Sequence, residues 1–299
     1  MSAPDADAVA AGETAVSGTG TTVSDTGNTF FGDVRVNAER WTRKAVHNPT
    51  AFLLEIVVAT FSLVLFSAVF GDVGEAALAR AGFAGVDYLT FLLPAVLMQA
   101  TMGSAFSSGM GLVRDLDSGM FEKTVVTPMS WTAVFAGKAA AELARIVVQL
   151  VVVLGLAVAM GARIETGLVG AAGVVAVCLL VGLLFMAVSN VVGLLARDDE
   201  VVNAASMLFM FPLLFLSPAF VPLSDDIEAV AAFNPITYGV DAVRALVLGR
   251  DTLTVLSVSR FGDTANTLVP AVAVLVALNL LVGALAVRLL ARASSAEAV

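Results

Sequence analysis

A single cysteine and a single histidine serve all 299 residues. Cys178 alone cannot close an internal disulfide or build a cysteine metal cluster, and His47 alone cannot make a histidine-rich site, so no metal site is expected. Charge is scarce too, at 14% of residues against about 25% in soluble chains. A nucleotide-binding P-loop is also missing: it needs G-x-x-x-x-G-K-[ST], and the one Gly-Lys pair, Gly137-Lys138, lacks both the upstream glycine and the following hydroxyl. No paired acids, Ser/Lys dyad or HExxH falls on facing apolar segments, which removes an intramembrane enzyme as a rival reading. Nor does one broken helix answer another in the two halves, as in an inverted-repeat carrier.

What the chain has instead is apolar length. Hydrophobic residues make up 59% and mean hydropathy is +0.93. The apolar residues gather in blocks at about 51–70, 86–112, 132–160, 168–195, 201–221 and 268–290. A helix rises 1.5 Å per residue, so ~20 residues cross a bilayer core of ~30 Å, and each block is long enough. The pattern predicts an all-α integral membrane protein with six transmembrane helices in a domain over 50–292, followed by a short tail at 293–299. Residues 1–32 are rich in Ala, Gly, Ser, Thr and Asp without periodicity, and are predicted to be a disordered acidic tail. That tail contributes to the net charge of −9, a balance that argues against nucleic acid as a partner.

Between 33 and 49, Val34, Ala38, Trp41 and Ala45 recur at helical spacing while Arg35, Arg40, Arg43 and Lys44 take other positions. This predicts an amphipathic helix lying on the membrane surface, with Trp41 in the headgroup zone. Six spans put both termini on one side. If that side is cytoplasmic it holds Arg35, Arg40, Arg43, Lys44, Arg114, Lys123, Lys138, Arg197, Arg288 and Arg292, leaving Arg80, Arg163, Arg244, Arg250 and Arg260 outside. The positive-inside rule therefore favours cytoplasmic N- and C-termini in the cell membrane.

Ionisable residues inside spans require partners, because a charge at mid-bilayer costs about 2.5–3.5 kcal/mol even on the lenient insertion scale. Lys138, Glu142 and Arg145 share a helix face and are expected to form an ion-pair stripe near the inner end of the third span. Glu55, about one turn inside the first span, reads either as a carboxylate on a substrate path or as the partner of a cation preceding the span. The run Gly103, Ser104, Ser107, Ser108, Gly109, Gly111 permits close helix packing or a bend.

Two segments break the apolar monotony. The loop from Arg114 to Ser130 sets Met120, Phe121 and Val125 as apolar knobs beside Asp117, Glu122 and Lys123, with breaks at Gly119 and Pro128. Such an element suits docking into a soluble partner. The second, from Phe211 to Gly249, is too long for a plain connection and apolar enough to re-enter the membrane from outside. In it Pro235 starts a helix that Gly249 ends, with Arg244 as a polar anchor.

Four fragments in order, Asp115–Ser130, Asp199–Asn203, Phe211–Pro222 and Asn234–Arg244, resemble the ABC-2 family of ATP-binding-cassette permeases, in particular its daunorubicin-resistance-like multidrug exporters. The likeness runs from about Arg43 to Arg292. It implies a permease subunit that works as a homodimer or with a related permease and moves an amphipathic or hydrophobic substrate such as a drug or lipid outward. Separate ATPase subunits, which bind ATP and Mg, would dock on Asp117, Gly119, Met120, Phe121, Glu122, Lys123 and Pro128. The chain would need no cofactor of its own. The outer motif of the likeness comprises Asn234, Pro235, Tyr238, Asp241 and Arg244. Export of a lipid-linked polysaccharide is the alternative within transport, and a membrane anchor for a soluble partner is the alternative outside it.

Overall fold

The computed structural model describes residues 30–47, 49–118, 131–222, 225–255 and 260–296. Among them the chain forms nine helices: α1 (Phe30–His47), α2 (Pro49–Arg80), α3 (Tyr88–Asp117), α4 (Trp131–Ala159), α5 (Gly167–Ala196), α6 (Asp199–Phe215), α7 (Asp225–Ala231), α8 (Pro235–Leu248) and α9 (Asp263–Ala296). Among the described residues none is in a strand. Five helices, α2, α3, α4, α5 and α9, are long and apolar enough to cross a membrane. The fifth apolar block gives α6, at 17 residues the shortest of the six, which lies at the lower end of spanning length. The chain is an all-α, multi-pass membrane protein.

Helix α3 is the axis: 89% of its apolar window is buried inside the protein, against 17% for α2 and 11% for α9. It packs on α2, α4, α5, α6 and α8, while α9 closes against α5 and α8. The outward faces of α2 and α9, with Leu53, Val57, Phe61, Leu280 and Leu281 exposed, are what hydrocarbon tails accept.

Several boundaries differ from the expected ones. Helix α2 runs on past 70, because Gly71 and Gly74 do not break it and Leu78 is buried against the core. Gly74 is needed there, since the Tyr88 ring lies against its backbone where a Cβ would sit. The fifth block stops as a helix at Phe215 and finishes in turns through residue 221, where Pro218 cannot continue the helical ladder. Helix α9 continues to Ala296, into the expected tail. Most of the predicted acidic tail, residues 1–29, lies outside the described residues.

Helix α1 is not simply laid on lipid. Trp41 is only 8% exposed, its ring close to the Gly111 position and 5.2 Å from Lys138 Nζ. Gly137 brings α4 so near α1 that a Cβ would stand 2.7 Å from the Val34 carbonyl oxygen. The amphipathic pattern is real, but its apolar and aromatic face, with Asp33 and Asn37 also buried, packs on protein.

Helices α3 and α5 also cross closely. Ser189 Oγ donates to Phe106 O at 2.8 Å and accepts from Gly109 N at 3.1 Å, leaving no room for a side chain at position 109. Gly109→Ala would drive its methyl into Ser189 and should lower stability by about 1–3 kcal/mol. Gly103→Ala, where nothing lies within 4 Å of an added Cβ, serves as the control. Thermal unfolding of the two variants in detergent checks this, with only the first expected to shift.

Candidate functional site

Three cations organise the interior, Lys138 and Arg244 buried and Arg145 largely so, and each is neutralised differently. Arg145 lies midway along α4, deeper than the inner-end position its sequence suggests. Its Nε donates to Glu142 Oε2 at 3.0 Å, one turn back on the same helix. Its Nη1 donates to Glu55 Oε1 at 3.2 Å, across to α2. Its Nη2 reaches Ser104 O at 3.0 Å and Ser107 Oγ at 3.2 Å on α3. All three charged side chains are at most one-fifth exposed.

Glu55 therefore pairs with a cation of a neighbouring span. It also accepts from Ser107 Oγ at 3.0 Å and from Ser104 Oγ at 2.6 Å. Ser104 Oγ lies 2.5 Å from Gln149 Oε1 as well, yet one hydroxyl proton serves one acceptor at a time. Turning the Gln149 amide over resolves the competition, because Nε2, otherwise without a partner, then donates to Ser104. Two carboxylates against one guanidinium leave this cluster one negative charge, which the serine hydroxyls solvate.

Lys138 leaves the expected stripe. It is 3% exposed, and its Nζ donates to Ser108 O and Asn190 Oδ1, both at 2.6 Å, beneath the Trp41 ring. The i, i+4 spacing to Glu142 allowed a pair, but the rotation of α4 turns Lys138 toward α1, α3 and α5. This single ammonium ties four helices together through neutral oxygens and an aromatic face.

The third cation lies at the opposite end of the bundle from α1. Asn234 Oδ1 accepts from Ile236 N at 2.9 Å, Pro235 takes the first turn, and Gly249 ends α8 at φ 66°. Tyr238 donates its hydroxyl to Ala232 O at 2.8 Å. Arg244, expected as a polar anchor, is 1% exposed. Its Nη2 donates to Pro218 O at 2.6 Å and Ala219 O at 3.2 Å, the carbonyls left free where α6 unwinds, and its guanidinium stacks 3.9 Å over Phe91. Asp241 stands 3.9 Å away, near enough to attract but too far to hydrogen-bond. Burial pushes the Asp241 carboxyl up to about 6, against the opposing pull of Arg244 and of Thr254, which donates from N at 2.9 Å and Oγ1 at 2.7 Å.

Of the residues expected to couple to a partner, Asp117 ends α3. Gly119, Met120, Phe121, Glu122, Lys123 and Pro128 lie outside the described residues. Sequence reasoning missed Ser104, Gln149 and Asn190 as ion partners, and Trp41 as the cover of Lys138. Their only signal was polarity inside apolar blocks, which does not name a partner.

The chain matches the family described as "ABC-2 type transporter" over residues 33–248. It is 28% identical over 200 residues to the daunorubicin resistance ABC transporter permease protein DrrB1 of Streptomyces coeruleorubidus, covering 66% of this chain and 67% of that protein. It is 23% identical over 217 residues to a protein of Mycobacterium tuberculosis named "Probable doxorubicin resistance ABC transporter permease protein DrrC", covering 72% and 75%.

Removing Arg244 would leave two buried carbonyls without a donor and Asp241 without a counter-charge. Arg244→Ala should therefore destabilise the protein by about 3–5 kcal/mol, with Arg244→Lys intermediate because an ammonium cannot stack and fork as a guanidinium does. Limited proteolysis of the 216–262 region in detergent checks this: the alanine variant should be cut faster there while α3 and α5 stay protected.

Proposed function

We propose that this chain, which belongs to the ABC-2 type transporter family, is the membrane-embedded permease subunit of an exporter powered by a separate ATP-binding subunit. The family match across 33–248 carries the reading. The resistance permeases among its relatives support an amphipathic or hydrophobic substrate, such as a drug or lipid, moved outward. The missing P-loop supports placing ATP and Mg on a partner. A working unit would contain two permease chains, either identical or related.

In this reading the α1 end faces the cytoplasm with both termini, as the distribution of Arg and Lys favours. The ATPase docks on the connection between α3 and α4, from Asp117 through Pro128, with Phe121 as the central apolar knob and Glu122 and Lys123 on its rim. Movement imposed there reaches the bundle through two helices that carry the Arg145 cluster, α4 with Arg145 and Glu142 and α3 with Ser104 and Ser107. Glu55 then serves as the clamp that makes α2 follow, and the substrate path need not touch it.

Truncating a buried interfacial aromatic typically costs about 2 kcal/mol or more. Tagged wild-type chain, pulled down from its native membrane, should bring with it a subunit that binds and hydrolyses ATP, while Phe121→Ala at matched membrane level should retrieve at most about a tenth as much. Arg260→Ala, at the opposite end, should retrieve as much as wild type. Because such a subunit is cytoplasmic, its retrieval through Phe121 also fixes the orientation. Equal retrieval by Phe121→Ala would move the docking site elsewhere, with the exposed charges of α1 the next place to look.

A further inference from the structure

At the end of the bundle opposite α1, a cleft of about 510 Å³ opens between the α2–α3 turn, the α4–α5 turn and the C-terminal end of α8. Clefts of roughly 300–1,000 Å³ are the usual size for small ligands. Gly85 (φ 81°) and Gly161 (φ 112°) shape two of its walls, in a backbone region that side chains disfavour. The α4–α5 turn is tied to the start of α3, because Arg163 N donates to Thr90 Oγ1 at 3.2 Å and Thr90 N donates to Asp87 Oδ2 at 3.2 Å.

Four residues with charged side chains line this cleft: Asp87, Glu165, Arg163 and Arg250. Among the described residues none of the four enters an ion pair with another. Arg250 is held instead by stacking, its guanidinium 4.9 Å from the Phe83 ring centroid, and its Nη2 is buried with no hydrogen-bond partner. The site thus presents two guanidiniums and two carboxylates that form no ion pair with one another, Asp87 held as the cap of α3 by Thr90 N and Arg250 by its ring stack.

That arrangement is selective by charge. A simple anion would meet the two guanidiniums but be repelled by the carboxylates, and a simple cation would meet the reverse. A molecule carrying both charges a few bonds apart satisfies the two sets at once. Guanidinium groups favour phosphate oxygens through paired charge-assisted hydrogen bonds, and carboxylates accept from a primary ammonium. We propose that this cleft binds a zwitterionic phosphodiester of the phosphoethanolamine type, with the phosphate on the Arg163 and Arg250 side and the ammonium on the Glu165 and Asp87 side. The same chemistry is carried by a phospholipid headgroup and by a free phosphodiester.

The test uses the full-length chain in detergent, without ATP or partner, so its result is independent of the export reading. Binding is measured by calorimetry and native mass spectrometry with dihexanoyl phosphatidylethanolamine, with dihexanoyl phosphatidylglycerol, and with soluble glycerophosphoethanolamine. Saturable binding of the ethanolamine lipid is expected, and Arg163→Gln should weaken it about tenfold. Glu165→Gln should weaken the ethanolamine lipid and strengthen the glycerol lipid, a reversal that a fold defect cannot produce. Arg163 and Glu165 are exposed, so both variants should keep the wild-type helix content by circular dichroism. Competition by glycerophosphoethanolamine would mean that the headgroup alone suffices, and binding of the lipid alone would assign the site to the membrane leaflet; either supports the proposal. If neither ethanolamine probe saturates, or if Arg163→Gln binds as wild type does, the proposal is overturned.

Discussion

The structure depends on how one guanidinium is neutralised inside an apolar bundle. Arg145 cannot be left unpaired midway along α4, and the groups that meet it come from three helices: Glu142 on its own, Glu55 on α2, and Ser104 and Ser107 on α3. In lipid this matters more than area buried, because hydrocarbon tails are as apolar as leucine and give no net drive for one apolar face to seek another. Helix α2, with 17% of its window buried, meets the bundle along a narrow apolar stripe of Ala59, Leu63 and Leu78, which leaves its rotation about its axis without a polar anchor. The Glu55–Arg145 contact supplies one.

The same logic recurs at both ends. Lys138 fastens α1 to the bundle through Trp41, Ser108 and Asn190, and Arg244 fastens α8 to the unwound end of α6 through the carbonyls of Pro218 and Ala219. Among the described residues, the hydrogen bonds that both cations donate go to neutral oxygens. Neutral oxygens and ring faces cost less to desolvate than a second ion. Where small residues allow, direct packing does the rest, as Gly109 does against Ser189 and Gly137 against α1. The result is a bundle whose helices are fixed to one another at a few polar points, with packed apolar surface between them.

The parts of this design that a linear reading reveals are local ones. The apolar blocks mark the long helices, the three-residue spacing of Glu142 and Arg145 forecasts their pair, and Asn234, Pro235 and Gly249 mark the start and stop of α8 because caps are written in adjacent residues. The glycine and serine run forecasts a close crossing, realised at Gly109. What a linear reading cannot reach depends on helix rotation. Glu55 and Arg145 are 90 residues apart, and nothing in either neighbourhood names the other. Lys138 could have faced Glu142 or Trp41 on spacing alone, and only the approach of α1 at Gly137 decides it. Arg244 reads as a polar anchor, but what it anchors to, the carbonyls of Pro218 and Ala219 on a different helix end, is not written beside it.

A double-mutant cycle on Glu55 and Arg145 tests the central claim most directly, with unfolding free energies of Glu55→Gln, Arg145→Gln and the double variant measured in one detergent. If the pair fixes α2 to α4, each single change is costly, and the double variant costs less than the sum of the two by about 1 kcal/mol or more. Additivity within about 0.5 kcal/mol would contradict the account, because the two side chains would then not depend on each other and something else would hold α2 in place.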